Sequence, residues 1–324
     1  MNAGAGEKPI ASLSLDLDNK WSYMKTHGDA GWELFPTYLD IVVPRVLAFL
    51  KDRDVSITFF IVGQDAVLEK NGTALRAIAE AGHEIGNHSF HHEPWLHLYS
   101  PAELELELAR AEEAIESATG QRPIGFRGPG FSCSAATLET LARRGYVYDA
   151  STFPTFLGPA ARAYYFLSTR LGSEQRRERA RLFGTVMDGF RPLKPYRWQT
   201  PGGSVLEIPV TTMPFIRAPI HMSYLLFLGC FSSALMLSYF RMAIWLCQRS
   251  RTPLSLLLHP LDFMGIDDVP ELGFFPGMRM PGPAKLHAVS TIIDRFLDQF
   301  HVVPMRVHAR DAEQSHKLAV KTPR

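Results

Sequence analysis

The 324-residue chain predicts an α/β fold, a distorted (β/α) barrel of seven or eight strands. Three observations lead there. Short β-branched and aromatic runs alternate with segments of helical periodicity, the signature of βα units around a parallel sheet. A polar or charged motif follows each strand run, at what becomes the C-terminal rim of a parallel barrel, where such folds gather their active sites. The length suffices for one large core. The expected boundaries are a flexible lead-in over 1–9, one domain over 10–310 with an insertion at about 156–200, and a polar tail over 311–324.

Residues 10–15 form a strand that runs into Asp16-Leu17-Asp18. On an extended chain these two carboxylates point the same way. Residues 21–36 read as a loop, 38–51 as a helix despite Pro44, and 55–63 as a buried strand. A helix over 73–81 stops at Gly82, and a short strand over 83–87 delivers His88. Ser100-Pro101-Ala102-Glu103 is a capping signature that opens a helix to about Ala118, ended by Gly120. Its Glu and Arg residues read as a solvated face. Residues 123–126 lead as a strand into Arg127-Gly128-Pro129-Gly130, and 134–144 is a helix ended by Gly145. Residues 146–148 then lead into Asp149. The alternation breaks after Phe156, where 175–181 reads as a charged helix. Strands return at 203–210 and 254–258, the second ending in His259; a helix over 285–299 and a short strand over 301–307 close the domain.

The composition is that of an ordinary globular protein, 46% hydrophobic and 21% charged. A net charge of +1 argues against nucleic acid as a general partner. Cys133, Cys230 and Cys247 have no ligand spacing and read as reduced thiols, which with no secretory signal at the N-terminus gives a cytoplasmic expectation, with the inner face of the membrane as the other location. The apolar stretch 222–247 is interrupted by Arg241 and several serines, so it reads as core or cleft lining rather than a transmembrane span. The sharper reading is that Phe227, Phe231 and Tyr239 form an exposed apolar lip for a lipid-linked sugar, with peripheral membrane contact left open.

His88 and His92 stand four apart, a spacing that on a helical turn lets both imidazoles reach one ion; a histidine-rich surface turn is the plain alternative. Asp16 and Asp18 fit a solvated turn, or the DxD pair of metal-dependent glycosyltransferases, a reading that leaves the histidines unexplained. In a closed barrel Asp16, Asp18, His88, His92, Arg127 and Asp149 converge from distant parts of the sequence.

Taken together, Asp16-Leu17-Asp18, His88-Ser89-Phe90-His91-His92, Arg127-Gly128-Pro129, Asp149 and Leu258-His259 resemble the five motifs of the polysaccharide deacetylases, the NodB-homology or carbohydrate esterase family 4 group. The resemblance runs from Leu13 to about Met264. It implies a NodB-type barrel and a metal-dependent amide hydrolase, a deacetylase or deformylase acting on an amino sugar or on a lipid-linked or polymeric sugar conjugate. It implies Asp18, His88 and His92 as ligands of one divalent ion, zinc first, with cobalt, nickel or manganese as the other candidates. Asp16 would be the base, oriented by Arg127, and His259 the acid, with Asp149 as its carboxylate partner. Pro129, Phe131 and Trp32 would meet substrate, Phe131 also lending a backbone N–H to the oxyanion. The first motif departs from the family's usual adjacent aspartates, Gly130-Phe131 stands where Tyr-Gly is common, and no tryptophan follows Asp149. The substrate therefore stays open, with a small cyclic amide or ureide as the alternative.

Overall fold

The computed structural model describes residues 8–158, 186–315 and 317–323. The charged helix expected at 175–181, and most of the expected insertion, lie outside the described residues. Ten strands form one sheet: β1 Ile10–Asp16, β2 Thr58–Ile61, β3 Glu84–Asn87, β4 Gly125–Phe126, β5 Tyr148–Asp149, β6 Tyr196–Thr200, β7 Gly203–Glu207, β8 Leu254–Leu258, β9 His301–Val303 and β10 Ala319–Lys321. Their order is β10-β6-β7-β5-β4-β3-β2-β1-β8, with β9 also on β1. Every pairing is parallel except β6 with β7.

Seven parallel strands, from β8 through β1 to β5 and β7, make the continuous wall expected of an α/β protein. The ladder does not continue from β7 to β8. The chain leaving β7 nevertheless reaches β8: the Thr211 N–H donates to the Ser255 carbonyl at 3.1 Å, and the Ser255 N–H donates to Thr211 Oγ1 at 2.7 Å. An irregular segment thus bridges the two ends of the wall.

The helices of eight or more residues among the described residues are α1 Lys20–His27, α2 Leu39–Lys51, α3 Gly72–Glu80, α4 Pro101–Thr119, α5 Ala135–Arg143, α6 Met222–Gly229, α7 Ser233–Ser250, α8 Gly282–Gln299 and α9 Met305–Ser315. The capping signature at Ser100 holds: Ser100 Oγ accepts from the Glu103 N–H and Glu103 Oε2 from the Ser100 N–H, while Gly120 ends α4 at φ 72°. The main core lies between β1, β2, β8 and the helices around them, where Leu13, Leu15, Phe59, Leu256, Phe240 and Ile292 are sealed from solvent.

Three segments differ from the sequence reading. The expected loop at 21–36 contains α1, capped by Asn19 Oδ1 at the Lys20 N–H (2.8 Å) and ended by Gly28 at φ 94°. Its apolar residues do not repeat at helical spacing, so only its caps advertised it. The strand expected through residue 307 stops at Val303, and the tail read as frayed supplies α9 and β10 instead. The reason is tertiary. The first free N–H groups of α9 are taken by buried side chains of β2 and β3, Met305 by Thr58 Oγ1 at 2.8 Å and Arg306 by Glu84 Oε2 at 2.9 Å. Glutamates of α4 are also not all solvated, since Glu107 and Glu112 are buried.

Gly63 sits where the end of β2 meets α4. A Cβ there would lie 2.7 Å from the Phe90 ring and 2.9 Å from the Ala111 backbone. Backbone cannot swing aside as a side chain can, so Gly63→Ala should cost about 1–3 kcal/mol of stability, read as a lower urea midpoint.

Candidate metal centre and active site

Register puts the motifs on one rim. Leu15 pairs with Leu258, so Asp16 stands level with His259 across β1 and β8. Asn87 pairs with Phe126, which places His88 beside Arg127, and Phe126 pairs with Asp149. Residues spread across the chain meet because each directly follows, or ends, a parallel strand.

Asp18, His88 and His92 each offer a donor atom, and these atoms lie within 4.8 Å of one another. Asp18 Oδ1 is 3.3 Å from His88 Nε2 and 2.9 Å from His92 Nε2. His88 Nδ1 is 2.6 Å from the Arg127 carbonyl, an acceptor only, so Nδ1 carries the proton and a neutral His88 turns the Nε2 lone pair toward Asp18. The histidine pair does not sit on a helical turn. Ser89 and His92 both adopt left-handed backbone, at φ 62° and φ 53°, and this loop folds both rings inward. Glu107 on α4 clamps the loop, accepting from the N–H groups of Phe90 (2.9 Å) and His91 (2.7 Å), with His91 Nδ1 2.6 Å from its other oxygen. The donor set of one carboxylate and two imidazoles, with ring orientation fixed from behind, fits a divalent transition-metal ion.

Asp16 and Asp18 have different partners, Asp18 facing the two imidazoles and Asp16 an arginine. Asp16 is held by the wholly buried Arg127, whose Nη1 donates to Asp16 Oδ1 at 2.6 Å and to Ser14 Oγ at 2.9 Å. Arg127 Nε donates to the Ala150 carbonyl at 3.0 Å, and the guanidinium lies over the Phe60 ring at 4.4 Å. A desolvated arginine with every direction occupied leaves Asp16 one orientation.

The carboxylate beside His259 is Asp262, not Asp149. Asp262 Oδ2 accepts the His259 N–H at 2.7 Å. Ser223, from the first turn of α6, bridges them: its Oγ is 3.2 Å from His259 Nδ1 and donates to Asp262 Oδ1 at 2.8 Å. Asp149 faces elsewhere. It accepts from Ser151 Oγ at 2.5 Å, and Ser151 Oγ accepts the Gly128 N–H at 2.8 Å, so Asp149 props the Arg127-Gly-Pro-Gly turn from behind. Burial pushes its carboxyl up, and burial with the Asp149 charge pushes neighbouring Glu207 up further, so the two acids do not both ionise readily.

Among the expected substrate contacts, Pro129 is buried in its turn, and Phe131 stacks on Phe153 at 4.7 Å. The Phe131 N–H is already given to the Gly128 carbonyl at 3.0 Å and is not open to an oxyanion. The exposed Gly130, whose N–H has no partner among the described residues, presents the open amide of this turn. Phe153 meets His221 edge-on, extending the wall toward His259. Trp32 is half-buried with the Lys25 ammonium 4.9 Å from its ring, and Lys25 pairs with Glu93 just past the histidine loop.

One acid behind the centre escaped the sequence reading. Asp65 Oδ1 accepts from Asn19 Nδ2 at 2.7 Å, Trp21 Nε1 at 2.9 Å and Asn71 Nδ2 at 3.1 Å. It thereby fixes the residue next to Asp18 and the ring that meets His92 edge-on. Burial pushes the Asp65 carboxyl up to about 7. The folded state therefore keeps a proton that the unfolded chain releases near pH 4, and this contribution to stability is lost as pH rises toward 7. Asp65→Asn, which keeps the accepting oxygen without the proton, should show a shallower decline of denaturation midpoint between pH 5 and pH 8 than the parent.

The polysaccharide deacetylase family model matches residues 29–148. A peptidoglycan deacetylase of Helicobacter pylori is 30% identical over 148 residues, 44% of this chain and 49% of that protein. A chitin deacetylase of Colletotrichum lindemuthianum is 34% identical over 106 residues, 32% of this chain and 42% of that protein. The chain thus spans about half the length, or less, of these relatives. A solved Mycobacterium smegmatis structure assigned to the polysaccharide deacetylases superposes with a TM-score of 0.65 over 100% of this chain and 96% of that one, at 21% identity. An allantoinase structure does so with a TM-score of 0.57 over 96% and 93%, at 19% identity, which speaks to the fold alone. Residues 29–148 thus match the polysaccharide deacetylase family, and the chain carries motifs in that family's order on one rim.

Proposed function

We propose that the protein is a metal-dependent hydrolase that removes an N-acyl group, acetyl or formyl, from an amino sugar within a larger conjugate. The observation that carries this reading is the convergence of Asp18, His88 and His92 beside an Asp16 locked by Arg127, with His259 level with Asp16 on the neighbouring strand. A divalent cation held by that triad would supply a Lewis acid, acidifying a water and polarising the acyl carbonyl. Zinc suits one carboxylate and two imidazoles; cobalt, nickel and manganese are the alternatives.

The remaining steps belong to side chains of this chain. Asp16, oriented by the Arg127 guanidinium, takes the proton of the attacking water. The Gly130 N–H faces solvent at the turn carrying Pro129 and is placed to steady charge developing on the carbonyl oxygen. His259 passes a proton to the departing nitrogen, its ring held through Nδ1 by Ser223 and its backbone by Asp262. The Phe131–Phe153 stack offers a flat apolar wall of the sort that packs against a sugar ring. Relatives named as peptidoglycan and chitin deacetylases make an N-acetylated glycan the first class to try.

Elemental analysis of the purified protein should find about one divalent ion per chain, and none in Asp18→Asn or His92→Ala. Amine release should be screened on N-acetylated glycan fragments, formamido sugars and cyclic ureides. The hydrolase reading fails if the metal-replete protein releases no amine from any of them. Where activity is found, Asp16→Asn and His259→Ala should each lower kcat by about 10²–10⁴-fold while leaving the ion in place.

A further inference from the structure

From Ile208 to Leu261 the sequence holds Arg217, Arg241, Arg249 and Arg251 but no Asp, Glu or Lys, in a chain with 33 acids. Most of that stretch is the α6–α7 hairpin. The buried face of α7 carries Met236, Phe240, Ala243, Ile244 and Cys247. Its opposite face exposes large apolar side chains alongside Ser238 and Arg249: Leu235 and Met242 are each 47% exposed and Trp245 57%. Spaced by seven and three residues, they form one stripe along the helix. At the hairpin turn Phe231 is 71% exposed and meets the Phe227 ring edge-on at 5.2 Å. Arg241, Arg249 and Arg251 flank the stripe, all exposed. Beside Trp245 a shallow groove of about 280 Å³ runs between α7 and α8, lined also by Arg241, Gln248, Arg295, Asp298 and Gln299. Tyr239, by contrast, does not belong to this surface, since its hydroxyl donates to the Pro219 carbonyl at 2.8 Å.

Exposed apolar side chains with an arginine fringe, on a hairpin that has no carboxylate of its own and only Asp298 of α8 beside it, make an unusual surface for water to wet. We propose that this hairpin rests on an anionic lipid bilayer, with Phe231, Leu235, Met242 and Trp245 entering the headgroup–acyl boundary and Arg241, Arg249 and Arg251 meeting lipid phosphates. No helix among the described residues is long and apolar enough to cross a membrane, so the contact is peripheral. The hairpin starts at the rim: Ser223, which touches His259, lies one helical turn before Phe227. Docking here brings the mouth of the site close to the bilayer, so the acyl sugar it meets is one anchored in, or lying against, that membrane. This last step rests on the hydrolase reading; the docking itself does not.

Sedimentation with large vesicles tests it. The intact chain should pellet with phosphatidylglycerol–phosphatidylcholine vesicles, more weakly with phosphatidylcholine alone, and less as salt is raised. Arg241→Gln and Arg249→Gln should each weaken partitioning about fivefold, and a Phe231→Ser, Trp245→Ser double variant should weaken it further. Both sets should hydrolyse a soluble substrate at the parent rate. No pelleting with either vesicle, or equal pelleting by parent and variants, overturns the proposal. So does a concentration-dependent dimer, seen by analytical ultracentrifugation, that the Phe231 and Trp245 substitutions dissolve without any vesicle binding. Vesicle binding without amine release would sink the hydrolase and leave the docking surface standing.

Discussion

A single desolvated cation sets the geometry of this rim. The Arg127 guanidinium is sealed from water, and a charge in that position persists only if its surroundings complete it. Asp16 supplies the opposite charge, Ser14 and Ala150 supply oxygens, and Phe60 supplies a ring face. The same residue's carbonyl takes His88 Nδ1, so one position orients both the proposed base and a proposed ligand. The base and the ion site are mechanically linked through one backbone segment, and that segment is braced in turn by Ser151 and Asp149.

Around this centre the chain uses buried acids as fasteners. Glu107 grips the histidine loop, Asp65 the segment beside Asp18, Glu84 the start of α9, and Asp262 the turn carrying His259. Each accepts two or more hydrogen bonds, at least one of them from a group distant in sequence, which is how an irregular rim becomes rigid without a regular ladder to hold it. Rigidity of this kind suits a site that must hold ligands in place before anything binds.

The rim residues were legible because a parallel barrel places whatever follows each strand at the same end, and the strands were readable from their β-branched runs. The fasteners were not. Glu107 lies in Glu103-Leu104-Glu105-Leu106-Glu107, where it looks like any other solvated helix glutamate, and only the loop lying over α4 makes it internal. Asp149 matched a motif in sequence, yet Ser223 reaches His259 from a helix thirty-six residues upstream, a contact that no local pattern announces. Helix α1 went unread because packing against Phe35 and Phe275, rather than an amphipathic repeat, holds it. The oxyanion role expected of the Phe131 amide was misjudged because it turned on a hydrogen bond inside its own turn.

The left-handed backbone at Ser89 and His92 carries a consequence for selectivity. Side chains other than glycine occupy that region at a cost, and only the surrounding clamp keeps them there. Were a divalent ion held there as proposed, a loop so constrained would adjust little to ions of different radius. The spacing between its two imidazoles would act as a ruler, and discrimination among metals would fall to ionic size and preferred bond angle more than to raw affinity.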